Sequence, residues 1–245
     1  MKSAGRDWLQ IGQPFIGLSH EERSRLRQLA AAFLLKKHLD PVGGLRLDPA
    51  QRELLALQAC LPILNLGLEY YDNWLTLIVY PRTFIPADSE IDLAGVVHPP
   101  EPRIGESWPN GPVLVSWKDV LRDMRGDWDY AMNVVIHELA HQLDVRNGAF
   151  DGMPELPRDM DTGSWIRDFT AAYGALHRAI DREEESWMDP YAAESPAEFF
   201  AVACETFFVA PDDLMAGYPK IYRQLQGYFR QDPLTRMAPG EGEKR

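Results

Sequence analysis

Val134-Val135-Ile136-His137-Glu138-Leu139-Ala140-His141-Gln142-Leu143-Asp144 is an H-E-x-x-H inside an apolar run. Four residues make about one helical turn, so on a helix His137 and His141 project from one face and can grip one metal ion. Glu138, one position on, can reach a water held in an open coordination position and take its proton. The plain alternative is two surface histidines on a solvated helix. The apolar neighbours argue against it, because such a helix is mostly buried. Burying two imidazoles and a carboxylate is costly unless they are paired or metal-bound.

Outward from this stretch, the periodicity predicts a helix from about Asp127 to Val145, stopped at Asn147-Gly148 by a left-handed turn. Upstream, Leu75–Tyr80 and Val113–Trp117 are short, β-branched and aromatic, and read as strands. Residues 81–110 are rich in Pro, Gly and acids, with pairs such as Val96-Val97 that suit short strands. A small mixed sheet is expected here, with an edge strand beside the metal on which an extended peptide could add as a further strand. Nearer the N-terminus, Ser19-His20-Glu21-Glu22 has capping-box form and opens a helix to about Leu39. Asp48-Pro49 starts a second helix that ends near Pro62. Downstream, helices are expected over about 164–185, from Ser195-Pro196 to before Pro211, and over about 212–230. The reading is an α+β fold, one domain over 1–245, with 1–18 and 238–245 as loose termini.

The composition narrows the function classes. The chain has 245 residues, 45% hydrophobic and 25% charged, as expected of a globular protein able to bury a sizeable core. A net charge of −12 argues against a nucleic-acid-binding surface, and no basic cluster offsets it. Cys60 and Cys204 lie in apolar helical contexts and read as buried free thiols. The N-terminus lacks the apolar core of a signal peptide, and the longest apolar run, Leu29 to Leu35, is too short to span a bilayer. The expectation is a cytoplasmic protein with no membrane partner.

A catalytic zinc usually has three protein ligands and a water. The histidine-ligated class reads H-E-x-x-H-x-x-G-x-x-H, but Asp144 and Asn147 occupy its last two positions here. His20, His38, His98 and His177 are poorly placed to replace it. A glutamate on a later helix is the better candidate: Glu198 first, then Glu205 seven residues on and on the same helical face, then Glu194. Ser195-x-x-Glu198 also fits a capping box, so Glu198 could instead satisfy its own helix terminus.

Four segments carry a resemblance: LPILNLGLEYYDNWLTLIVYP (61–81), GPVLVSWKDV (111–120), NVVIHELAHQLDVRNG (133–148) and DPYAAESPAEFFAVACETFF (189–208). Together they resemble the Mlc titration factor A family of zinc-dependent peptidases, over roughly residues 20–235. The resemblance implies a zincin-like metallopeptidase fold similar to the anthrax lethal factor catalytic domain. It implies one zinc ion held by His137, His141 and Glu198, with Glu138 as base. It also implies Tyr191, seven residues before Glu198, as a phenol that stabilises the oxyanion. Family members resemble aminopeptidases on small substrates, so the implied partner is a peptide or protein substrate. A second implied role is binding a Mlc-like glucose repressor. Thermolysin-like enzymes place an aspartate four residues after the ligand glutamate, where this chain has Val202. The carboxylate that orients a ligand histidine must therefore come from elsewhere, with Asp144 and Glu205 as candidates.

Overall fold

A computed structural model describes residues 13–83, 90–91, 97–98, 105–107, 111–126 and 130–237. Helix α1 (His20–Lys36) begins with both arms of the capping box in place. Glu22 N donates to Ser19 Oγ at 3.2 Å, and Ser19 N donates to Glu22 Oε2 at 2.8 Å. The helix stops earlier than the expected Leu39, because His38–Pro41 forms strand β1. Asp48 and Gln51 make the same reciprocal cap on α2 (Pro49–Cys60).

Strand β2 (Thr76–Tyr80) follows, then the short strands β3 (Glu90–Ile91), β4 (Val97–His98) and β5 (Gly105–Ser107), then β6 (Val113–Ser116). The four-stranded sheet has the order β1-β2-β6-β5, with β1, β2 and β6 parallel and β5 antiparallel to β6. This is the small mixed sheet expected from the sequence. Strands β3 and β4 form a separate antiparallel pair. Of the expected pair Val96-Val97, Val97 is in β4, while Val96 lies outside the described residues. Leu77 and Val79 of β2, and Val113 and Val115 of β6, are fully buried, so alternate residues turn one face of the sheet into the helices.

Trp117, expected at the end of a strand, instead opens α3 (Trp117–Asp123), with Ser116 as its N-cap. Helix α4 (Val134–Asp144) carries the motif. It starts later than the expected Asp127: Asn133 is extended, with φ −153°, and its side chain accepts from Ile136 N at 3.0 Å. Residues 127–129 lie outside the described residues. A 3-10 turn over Val145–Asn147 ends in Gly148, left-handed at φ 97°, which is the stop expected from Asn147-Gly148.

Helices α5 (Thr162–Asp181) and α6 (Pro196–Val209) follow. The expected single helix over 212–230 is two, α7 (Pro211–Gly217) and α8 (Pro219–Phe229), with a short α9 (Pro233–Met237) beyond. Pro219 has no N–H for the preceding turn and its ring crowds that turn, so the helix breaks there. None of the described helices is long and apolar enough to cross a membrane.

Helix α4 is wedged between β5 and β6 of the sheet on one side and α6 on the other, with α2 also against it. Helix α6 is apolar nearly all round, from Phe199 to Phe208, as befits a helix buried on every side. Trp165 of α5 stacks on Phe169 at 4.2 Å, and both pack on Phe200 of α6, which contacts Tyr228 of α8. Aromatic rings thus bury large areas behind α6 and fix its position against the motif helix. Cys60 and Cys204 are free and buried in this core.

Candidate metal centre

The N-terminus of α4 presents backbone donors that the helix itself cannot satisfy. Asn133 caps Ile136 N, Asp123 Oδ2 accepts from Val134 N at 2.7 Å, and Glu205 Oε2 accepts from Asn133 N at 2.6 Å. The Asn133 amide also donates to Gln58 Oε1 of α2 at 2.8 Å. Three separate elements therefore hold this end of the helix, and two carboxylates sit where the helix dipole favours negative charge. That anchoring fixes the first turn, and with it His137.

One turn apart, His137 and His141 bring their Nε2 atoms to 3.2 Å of each other. Glu198, from the first turn of α6, meets both: one carboxylate oxygen lies 3.0 Å from His137 Nε2 and the other 3.4 Å from His141 Nε2. Among the described residues, these three form a group whose donor atoms all lie within 4.8 Å of one another. Ser195 Oγ accepts from Glu198 N at 3.1 Å, so the serine arm of the expected capping box is present. The glutamate arm is not, because the carboxylate turns to the histidines.

Glu205 lies two turns further along α6, only 3% exposed, and its Oε1 is 2.6 Å from His137 Nδ1. A single carboxylate thus caps α4 and orients the first imidazole. With Nδ1–H donated to Glu205, the ring is oriented so that Nε2 faces Glu198 and His141, the atom that a metal ion would take in place of its proton. Asp144, the other candidate for this role, is fully buried and spends Oδ2 on Gly152 N at 2.9 Å. Burial pushes its carboxyl up to about 6, while the Gly152 hydrogen bond pulls the other way.

The electrostatics suit a cation. Burial pulls the His137 pKa down, yet the charge of Glu205 and hydrogen bonds to Glu198 and Glu205 outweigh it, and the net shift is well upward. Glu198 shifts the opposite way: burial raises its pKa, but hydrogen bonds to His137 and His141 bring it well below the usual carboxylate range. A negative field strong enough to hold a proton between these groups also favours a divalent cation there. Two imidazole nitrogens and a carboxylate oxygen are a donor set suited to zinc with one position open. The residues present fit the ion that the motif implies.

Glu138 is buried beside His137 on the same helix. Tyr191 sits in a 3-10 turn, Pro190–Ala193, that packs on α6, and its side chain is 46% exposed. Its ring centroid is 6.1 Å from that of His137. All five residues singled out from the sequence therefore come to one place. Asp123 and Asn133 were missed as positioning groups, although an Asn immediately before an apolar run is itself an N-cap signal.

Gly152 spaces the two halves of the centre. Its N–H is held by Asp144 of α4, its carbonyl accepts from Trp165 Nε1 of α5 at 3.2 Å, and it has φ +75°. A Cβ here would lie 2.4 Å from the carbonyl oxygen of Pro196, in the first turn of α6. Gly152→Ala is expected to lower stability by about 1–3 kcal/mol, through backbone strain and displacement of that turn. Denaturant unfolding checks this, and an unchanged midpoint would contradict it.

Residues 5–230 match the family described as glucose-regulated metallo-peptidase M90. Proteins named Mlc titration factor A are also similar. Those of Escherichia fergusonii and Enterobacter sp. (strain 638) are each 37% identical to the chain. The alignments cover 91% and 92% of this chain and 84% and 85% of theirs, respectively. The protein of that name from Klebsiella pneumoniae subsp. pneumoniae is also 37% identical, over 93% of this chain and 88% of its own.

Proposed function

The chain belongs to the glucose-regulated M90 metallopeptidase family, with the Mlc titration factor A proteins, and on that premise we propose that it is a zinc-dependent peptidase. The observation that carries the reading is the convergence of His137, His141 and Glu198 from two helices, with the His137 ring oriented from behind by Glu205 at Nδ1. These three side chains would hold one zinc ion. When bound, zinc polarises the scissile carbonyl and lowers the pKa of a water, supplying a nucleophile at neutral pH.

The remaining steps belong to the chain's own residues. Glu138 takes the proton of the attacking water and passes it to the leaving amine. Tyr191 donates its phenolic hydrogen to the oxyanion that forms as the carbonyl is attacked. Strand β5, at the sheet edge and against α4, is the element on which an extended peptide would add as a further strand. The finer reading is an aminopeptidase-like enzyme acting on small peptides in the cytoplasm, with residues 1–245 working as one domain.

Glu205→Gln tests the support behind His137. The amide keeps the shape but lacks the charge and one of the two acceptor oxygens used on Asn133 N and His137 Nδ1. Zinc affinity is expected to fall about 10–100-fold, read by competition with a chromogenic chelator. Wild-type affinity would contradict the role.

A peptide-library digest read by mass spectrometry tests the function, with Glu138→Gln as control and a chelated sample beside it. Zinc-dependent cleavage in the wild type alone supports the proposal, and no cleavage of any peptide refutes it. Trimming from N-termini supports the aminopeptidase detail; internal cuts contradict it.

A second reading is favoured by the relatives' name: a regulatory protein that sequesters a Mlc-like glucose repressor, with hydrolysis secondary. A pull-down of such a repressor, with and without chelator, separates the two. Capture unaffected by zinc removal indicates a surface apart from the metal centre, and absence of capture refutes this reading.

A further inference from the structure

Phe150 is a large apolar side chain held at the lip of the metal centre. Its ring meets the ring of His141 edge-on, with centroids 5.9 Å apart, while its side chain remains 36% exposed. The loop that carries it is tightly tied. Ala149 N donates to Asn147 Oδ1 at 3.0 Å, the Asn147 amide donates to Met153 O, Gly152 N donates to Asp144 Oδ2, and Met153 N donates to Asp151 Oδ1 at 3.1 Å. Gly152 is pinned further by Trp165 and by close approach to Pro196.

A loop this constrained does not leave a phenyl ring in water for want of anchoring. Hydrogen bonds on both sides of Phe150 hold the backbone in a course that keeps the ring against His141. Tyr191 stands in the matching position over the other histidine, so each metal-binding imidazole has an exposed aromatic ring beside it. Tyr191 carries a hydroxyl suited to the reacting carbonyl, whereas Phe150 has no polar atom and offers only apolar surface. An apolar group of the substrate is the chemistry that would cover it.

We infer that Phe150 is a specificity-determining residue: one wall of a subsite that takes a large apolar side chain of the peptide, at a position flanking the scissile bond. This rests on the peptidase reading and deepens it by naming the substrate class. Burial of the substrate side chain against the ring would favour Leu and Phe peptides over Gly and Ala peptides.

The test is kcat/KM for matched peptides that differ only at one position flanking the cleaved bond, Leu or Phe against Gly or Ala. Wild type, Phe150→Ala and Phe150→Leu are compared, with zinc content measured for each. In Phe150→Ala the ratio of apolar to small substrates is expected to fall about tenfold, with Phe150→Leu restoring most of it. Zinc should stay stoichiometric. An equal loss on all four peptides, or a loss of zinc, would overturn the inference and leave Phe150 as packing for His141. An unchanged ratio would overturn it too. Cleavage of none of the peptides by the wild type would instead refute the peptidase reading, and this subsite with it.

Discussion

Glu138→Gln is expected to bind zinc as the wild type does and to lose peptide hydrolysis by about 10²–10⁴-fold, the usual contribution of a positioned general base. The substitution is nearly isosteric. Glu138 is buried on α4 next to His137, so removing its charge leaves the packing of Leu139 and Val135 intact. The lost property is proton acceptance: an amide cannot take the proton of the attacking water or return it to the leaving amine. Initial rates on a peptide substrate, with zinc content measured on the same sample, separate chemistry from metal loss. Near-normal activity in a zinc-loaded variant would remove Glu138 from the mechanism.

The second large effect is on the metal itself. His137→Ala and Glu198→Ala each delete one of three donors, and zinc affinity should fall by more than the roughly 100-fold reached when an outer-shell partner is lost. Both variants should also be less stable in the metal-free protein. Removing His137 leaves Glu205 buried with one oxygen deprived of its partner at 2.6 Å, at a cost of about 1–3 kcal/mol. Removing Glu198 takes away the carboxylate that meets both imidazoles, so stability should fall here too, although the Ser195 cap on α6 stays in place. Zinc content of both variants after loading, and denaturant midpoints of their metal-free forms, check this. Stoichiometric zinc in both would refute the ligand set.

Much of this site is legible in the sequence because it depends on local spacing. Histidines four apart must share a helical face, and the caps at Ser19 and Asp48 are satisfied by residues three positions on. The third donor is harder. Glu198 and Glu205 are seven residues apart on one face of α6, and spacing barely separates them. The three-dimensional arrangement divides the work by depth: Glu198 faces both Nε2 atoms, while Glu205 reaches Nδ1 of His137 and the backbone of Asn133. The sequence alone ranks Glu198 only narrowly ahead of Glu205, and the resemblance to the peptidase family widens that margin.

Other elements were illegible for a related reason. Strand β1 has no β-branched or aromatic run in His38-Leu39-Asp40-Pro41, and it exists through parallel pairing with Thr76–Val79, far along the chain. Helix α3 starts at Trp117, whose side chain suits a strand, and its beginning is set by the Ser116 cap. Non-local pairing and caps that end one element while opening another leave little periodic signal.

The most direct test of the central claim is an anomalous-scattering map at the zinc absorption edge, from crystals of the wild-type protein grown with zinc. One peak is expected, within bonding distance of His137 Nε2, His141 Nε2 and a Glu198 carboxylate oxygen. A peak elsewhere, or none at these three side chains, would contradict it.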